Sequence, residues 1–154
     1  MTVETARTEA WIGFVGGAVR RLSAAALETS TPFGAVYLTA LDGQQAIPDA
    51  RHILVTAVGR ARNHGMAYGH AAGAGGDATG RMWHLQAVGE KPIMLQAVVG
   101  SVRVRTAHWS DLKAWELDNT GRRRGSIQLT RDNGFVTLPM QPRWAVVYYE
   151  LSTE

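Results

Sequence analysis

Side chains able to do chemistry in this chain are carboxylates, histidines and aromatics, because it has no cysteine. That absence excludes a thiol nucleophile, a disulfide framework and a zinc ribbon, though it does not fix the compartment. Breaking a glycosidic bond takes two carboxylates about 5 Å, or roughly 6.5–9.5 Å, apart across the sugar. The acidic candidates are Glu28, Asp42, Asp49, Asp77, Glu90, Asp111, Glu116, Asp118, Asp132 and Glu150. Asp42, Asp118 and Asp132 fall in turn sequences, where a short acidic side chain bonds to nearby backbone. Asp49 and Asp77 fall in loops, and spacing singles out no pair. His64, His70 and His84 form a loose group, with His52 and His108 elsewhere. Their spacing matches no tight metal-ligand pattern such as HExxH. No D-x-D-x-D run supports a structural calcium, so no cofactor is expected. A G-x-S-x-G elbow is missing, and no G-K-(S/T) follows Gly16-Gly17, so neither a serine triad nor a phosphate loop is signalled. These residues predict no catalytic centre.

The aromatics are more informative: five Trp and four Tyr. A flat Trp or Tyr ring buries the apolar C–H face of a sugar while neighbouring polar groups bond its hydroxyls. Tyr68 precedes a Gly/Ala-rich segment, Trp83 and His84 follow it, and Trp109 precedes a strand. These positions at loop edges make Trp83, Trp109, Tyr68 and His84 the candidate ligand platform. Arg81, Gln86 and Asp111 are the nearby polar groups for hydroxyls. Trp144, Tyr148 and Trp115 alternate within strand sequences and are expected in the core. The pattern does not decide Trp11.

The elements that would position these residues read as strands, from period-2 alternation bounded by turn residues. Phe33–Leu41 is apolar at both sets of alternating positions, which predicts a central strand covered on both faces. His52–Val58 is a second buried strand, and Ile93–Ala97 a short one. Ser101–Arg105 sets Val102 and Val104 on one face against Arg103 and Arg105 on the other. Leu112–Leu117, Arg124–Thr130, Phe135–Leu138 and Trp144–Leu151 complete the series. Asp132-Asn133-Gly134 is a strong hairpin signal, and Pro139–Pro142 reads as a turn. Toward the N-terminus, Trp11–Gly17 reads as a strand with a bulge. Ala18–Glu28 is helical by propensity, but no long helical pattern follows. Two short strands, Val19–Leu22 and Ala26–Glu28, are the preferred reading. The segment His70–Gly80, HAAGAGGDATG, offers little to bury and is expected to be a long mobile loop. Strands at intervals of about ten residues predict an all-β, antiparallel, jelly-roll-like β-sandwich.

At 154 residues the chain is expected to be a single domain over 1–154. Its net charge is +3, and Arg supplies 14 of the 16 basic side chains. They are scattered at Arg20-Arg21, Arg60-Arg62, Arg103-Arg105 and Arg122–Arg124, so no nucleic-acid face is expected. Charge or Gly interrupts each apolar run well before 18 residues, so no membrane span is expected. No signal peptide shows in MTVETARTEA.

The string PFGAVYLTALDGQQAIPDARHILVTAVGRARNHGM, Pro32–Met66, resembles an accessory β-sandwich module found near the C-terminus of bacterial glycoside hydrolases. In such modules a strand ends in a (T/S)-x-L-D-G turn, here Thr39–Gly43. A strand of the type (L/I)-L-V-T-A-V-x-R-x-x-N-x-G-M follows, here Ile53–Val58 with Arg60, Asn63, Gly65 and Met66. Gly89–Leu95 resembles the module's G-x-x-P-(I/V)-L-(V/L) strand, and Trp115–Arg123 its L-D-x-x-G-(R/K)-R turn. Val147–Glu150 resembles its last strand, and ARTEAWIGFVGG its lead-in. The matches run from Ala6 to Glu150, while the His70–Gly80 segment and the histidines depart from the pattern. The resemblance implies a non-catalytic carbohydrate-binding module, attached to a catalytic domain in the same parent chain and working outside the cell or in the periplasm. It also implies two alternatives. One is a structural domain whose aromatics pack on the catalytic barrel, and the other a stand-alone hydrolase with an unrecognised site.

Overall fold

The computed structural model describes residues 1–72, 81–141 and 146–154. They divide into two compact units. The first joins Met1–Gly59 to Ala97–Glu154, and the second is Arg60–Gln96.

The first unit is an antiparallel β-sandwich. Its larger sheet has seven strands: β1 (Thr2–Glu4), β2 (Thr8–Phe14), β5 (Phe33–Ala40), β6 (His52–Val58), β16 (Tyr148–Ser152), β12 (Lys113–Leu117) and β13 (Arg123–Ile127), in that spatial order. Its smaller sheet runs β14 (Thr130–Asp132), β15 (Phe135–Met140), β11 (Gly100–Arg105), β4 (Ala25–Thr29) and β3 (Arg20–Arg21). The chain alternates between the sheets; the smaller is complete at β15, and the larger only when β16 is laid down between β6 and β12. One apolar cluster joins both layers. From the larger sheet it takes Trp11, Val36, Leu38, Ile53, Val55, Tyr149 and Leu151, and from the smaller Leu27, Val102, Val104, Val136 and Leu138. Complete burial of each Leu or Ile is worth about 1.5–3 kcal/mol.

Period-2 alternation explains the register. In β5, Val36, Leu38 and Ala40 are buried while Ala35, Tyr37 and Thr39 are half-buried. The strand is therefore covered fully on one face only, not on both as its doubly apolar sequence predicts. The outer positions Tyr37, Thr56 and Tyr148 stand directly opposite one another across β5, β6 and β16. Tyr148 and Trp115 belong to this half-buried outer face rather than to the core. The aromatics in the core are Trp11 and Tyr149. Trp144 lies outside the described residues.

In the N-terminal region the strand reading holds over helical propensity. β3 and β4 pair antiparallel about a turn in which Leu22 donates its N–H to Ala25. Leu27 faces the core opposite Val102 of β11. Burial against a neighbouring strand outweighs the Ala-rich helical preference, a weak term per residue. Pro139 is a correction: it and Met140 continue β15 opposite Ser101 and Gly100 instead of turning. β14 pairs with β15 only as far as Thr137, so Pro139 has a strand on one side, a place proline tolerates.

The second unit consists of two ribbons. β7 (Ala61–His64) pairs with β10 (Glu90–Leu95), and β8 (Ala67–Ala72) pairs with β9 (Arg81–Ala87). His70–Ala72, expected in a loop, end β8; residues 73–80 lie outside the described residues. Asn63 ties the two ribbons by donating from Nδ2 to the Val88 carbonyl at 3.1 Å. Among the side chains described in this unit none is buried. No helix among the described residues is long and apolar enough to cross a membrane.

Candidate functional site

In the second unit the ribbon register decides which predicted residues meet. Tyr68 stands opposite Leu85, Gly69 opposite His84, and His70 opposite Trp83. Side chains alternate between faces along a strand, so Tyr68, Trp83 and Leu85 share one face and His84 belongs to the other. The Gln86 carboxamide lies directly over Gly69, in space that a Cβ there would need, and so falls on the His84 side. Tyr68 and Trp83 are 46% and 58% exposed. With Arg60 and Arg62 they line a hollow of about 570 Å³. The Arg62 guanidinium sits 5.4 Å from the centre of the Tyr68 ring. Two exposed rings beside two guanidiniums can stack a flat apolar face and donate hydrogen bonds at its edge. Arg81 opens β9 opposite Ala72, and its side chain lies outside the description.

Trp109 and Asp111 belong to the first unit, in the turn that leads into β12. Trp109 is partly exposed, and its carbonyl accepts a hydrogen bond from Arg131 Nε at 3.1 Å. Asp111 accepts the Ser110 hydroxyl at 2.8 Å and lines a polar cleft of about 660 Å³. His108, adjacent to Trp109 in the chain, lines it too, its Nε2 lying 3.2 Å from the Asp49 carbonyl.

This cleft is the feature that sequence reasoning missed. Its floor is made by strand register. His52 pairs with Ser152 and Leu54 with Glu150, so His52 and Glu150 are diagonal neighbours on the outer face of the larger sheet. His52 Nε2 lies 2.7 Å from Glu150 Oε1. Arg123, at the start of β13, reaches back to Glu150 with Nε 2.5 Å from Oε2 and Nη2 3.0 Å from Oε1. Its guanidinium carbon lies 3.7 Å from the centre of the Trp115 ring. A planar, two-point clamp stacked on an indole holds this group rigidly. Hydrogen bonding from Arg123 lowers the Glu150 carboxyl below its ordinary range against the opposing effect of burial, and Glu150 in turn raises Arg123. Asp42, at the rim, accepts the Arg51 N–H at 2.8 Å. Burial opposes its charge, but backbone N–H groups led by that of Arg51 hold its carboxyl below the ordinary value. The available signal was parity: Glu150 and Ser152 share one set of alternate positions, and two polar residues mark that set as outward against Val147, Tyr149 and Leu151.

Among the described residues no group of three or more His, Asp or Glu side chains is placed to hold a metal ion. Searched against family models, curated proteins and solved structures, the chain matches none.

Proposed function

We propose that the chain is a non-catalytic carbohydrate-binding module that accompanies a glycoside hydrolase outside the cell or in the periplasm. One observation carries this reading: Tyr68 and Trp83 are solvent-exposed on one ribbon face beside Arg60 and Arg62. Their rings stack on sugar C–H faces while the guanidiniums donate to hydroxyls. The motif resemblance from Ala6 to Glu150 and the sandwich architecture support the same reading. Binding of this shallow kind raises the effective concentration of substrate around a tethered catalyst.

The test is a titration of the protein with cellulose, xylan, mannan and β-glucan fragments, followed by Trp fluorescence. Trp83→Ala and Tyr68→Ala should each weaken binding by about 1–3 kcal/mol. Unchanged affinity in both variants would remove this hollow as the site, and silence toward every glycan would remove the function.

A second reading, packing on a catalytic domain, is favoured by the aliphatic side chains of the same unit. Val88, Ile93, Met94 and Leu95 are exposed, and aliphatic surface suits a protein neighbour better than a sugar. Charged replacements at Ile93 and Leu95 would then abolish association with that domain and leave glycan titrations unchanged.

A further inference from the structure

We infer that the polar cleft of the sandwich unit is a second glycan site, built to hold the hydroxyls of a neutral sugar. The proposal takes its ligand class from the reading above, but its residues and its unit are different. Charged and small polar side chains line the cleft, with no large apolar group among them, which excludes an apolar ligand. The four carboxylates Asp42, Asp111, Glu150 and Glu154 face the two guanidiniums of Arg51 and Arg123. That surplus of negative charge repels uronates and sulfated sugars. A hydroxyl both donates and accepts, and the cleft offers both functions at fixed places. Arg123 and Glu150 satisfy each other and form a rigid floor. His52 donates from Nε2 to Glu150, and Nδ1 is the remaining polar atom of its ring. Asp111 uses one carboxylate oxygen for Ser110 and keeps the other. The Arg51 guanidinium, with no partner among the described residues, is the donor. A vicinal diol bound between Arg51 and Asp111, with His52 beside it, fits this set.

The experiment follows the imidazole NMR signals of His52 and His108 in the full chain during titration with single hexasaccharides. The neutral probes are xylohexaose, mannohexaose and cellohexaose; the charged ones are hexagalacturonate and hexaglucosamine. A neutral hexasaccharide should shift both histidines saturably below about 10 mM. Arg51→Ala and Asp111→Ala, neither of which touches the Glu150 ion pairs, should each weaken those shifts at least about ten-fold. Trp83→Ala should leave them unchanged. Shifts that survive both cleft variants, or tighter binding of either charged probe than of every neutral one, would overturn the proposal. Still histidines with a fluorescence response that Trp83→Ala abolishes would sink the cleft and spare the aromatic hollow. Shifting histidines with no effect of Trp83→Ala or Tyr68→Ala on any glycan response would do the reverse, and silence everywhere would end both.

Discussion

Glu9 carries a carboxylate into the space between the two sheets. It stands opposite Leu38, which is fully buried, and is itself 1% exposed. Its Oε1 accepts the Ala24 N–H at 2.6 Å, so one side chain of β2 satisfies the turn between β3 and β4. Burial raises the Glu9 carboxyl above its ordinary value, and nearby Glu4 adds to this. Backbone N–H groups of Ala24 and Ala25 and the charge of Arg105 oppose the shift without cancelling it. A folded-state value above the unfolded one means that the native protein holds the proton more tightly. The associated stability is full below the unfolded value and is lost as pH rises through the folded one. Glu9→Gln keeps an acceptor for Ala24 and does not titrate. Thermal melts from pH 4 to pH 8 should show the wild type losing ground to Glu9→Gln as pH rises. Parallel profiles would show that the carboxyl ionises freely. Glu9→Ala leaves the Ala24 N–H buried without a partner and should cost about 1–3 kcal/mol at any pH.

At the scale of elements, Glu150 does the opposite work. From β16 it contacts His52 on β6 and Arg123 on β13, so one carboxylate ties three strands of the larger sheet. Its carboxyl is lowered by Arg123. The linked stability is therefore present above the unfolded value and lost as pH falls through the folded one. Glu150→Gln should cost about 1–3 kcal/mol at pH 7, read from urea melts, with the gap to wild type closing in acid. A gap independent of pH would assign the cost to packing alone. The same strands show what a sequence can reveal. His52–Val58 and Phe33–Ala40 were legible because one face meets the core, which imposes alternation on the residues. β7, β8 and β9 bury no described side chain, so no alternation marks them, and β8 and β9 read as loop edge; of β10 only the end from Ile93 was legible. The His52–Glu150–Arg123 cluster was illegible for another reason. Its members are far apart in the chain and meet only through the β6–β16 register and the reach of an arginine from β13. Tyr68 and Trp83 were legible as exposed aromatics at the ends of a Gly/Ala-rich segment, although the ribbon separates them from His84 on the opposite face.

For the whole molecule, the division into two units makes a sharper claim than either sheet does. Every residue of the apolar core belongs to Met1–Gly59 or Ala97–Glu154. Among the described residues, the unit Arg60–Gln96 contributes nothing to that core and leaves Tyr68, Trp83, Leu85, Val88, Ile93, Met94 and Leu95 exposed. Two-stranded ribbons without a buried face are marginal by themselves, whereas the sandwich has a core shared by two layers. The points where the chain leaves and re-enters the sandwich are close together. A Cβ on Gly34 would lie 2.9 Å from the Val58 carbonyl and 3.5 Å from Val98 Cγ2. A short Gly-Ser link can therefore replace Arg60–Gln96 at little cost in closure entropy. The shortened protein should melt cooperatively within about 5 °C of the full chain. It should stay soluble at higher concentration, having lost an exposed apolar surface. Its fluorescence response to glycans through Trp83 should vanish, while histidine shifts at His52 and His108 persist. Loss of cooperative melting would mean that the ribbons hold the sandwich together, and the two units would then have to be treated as one folding body.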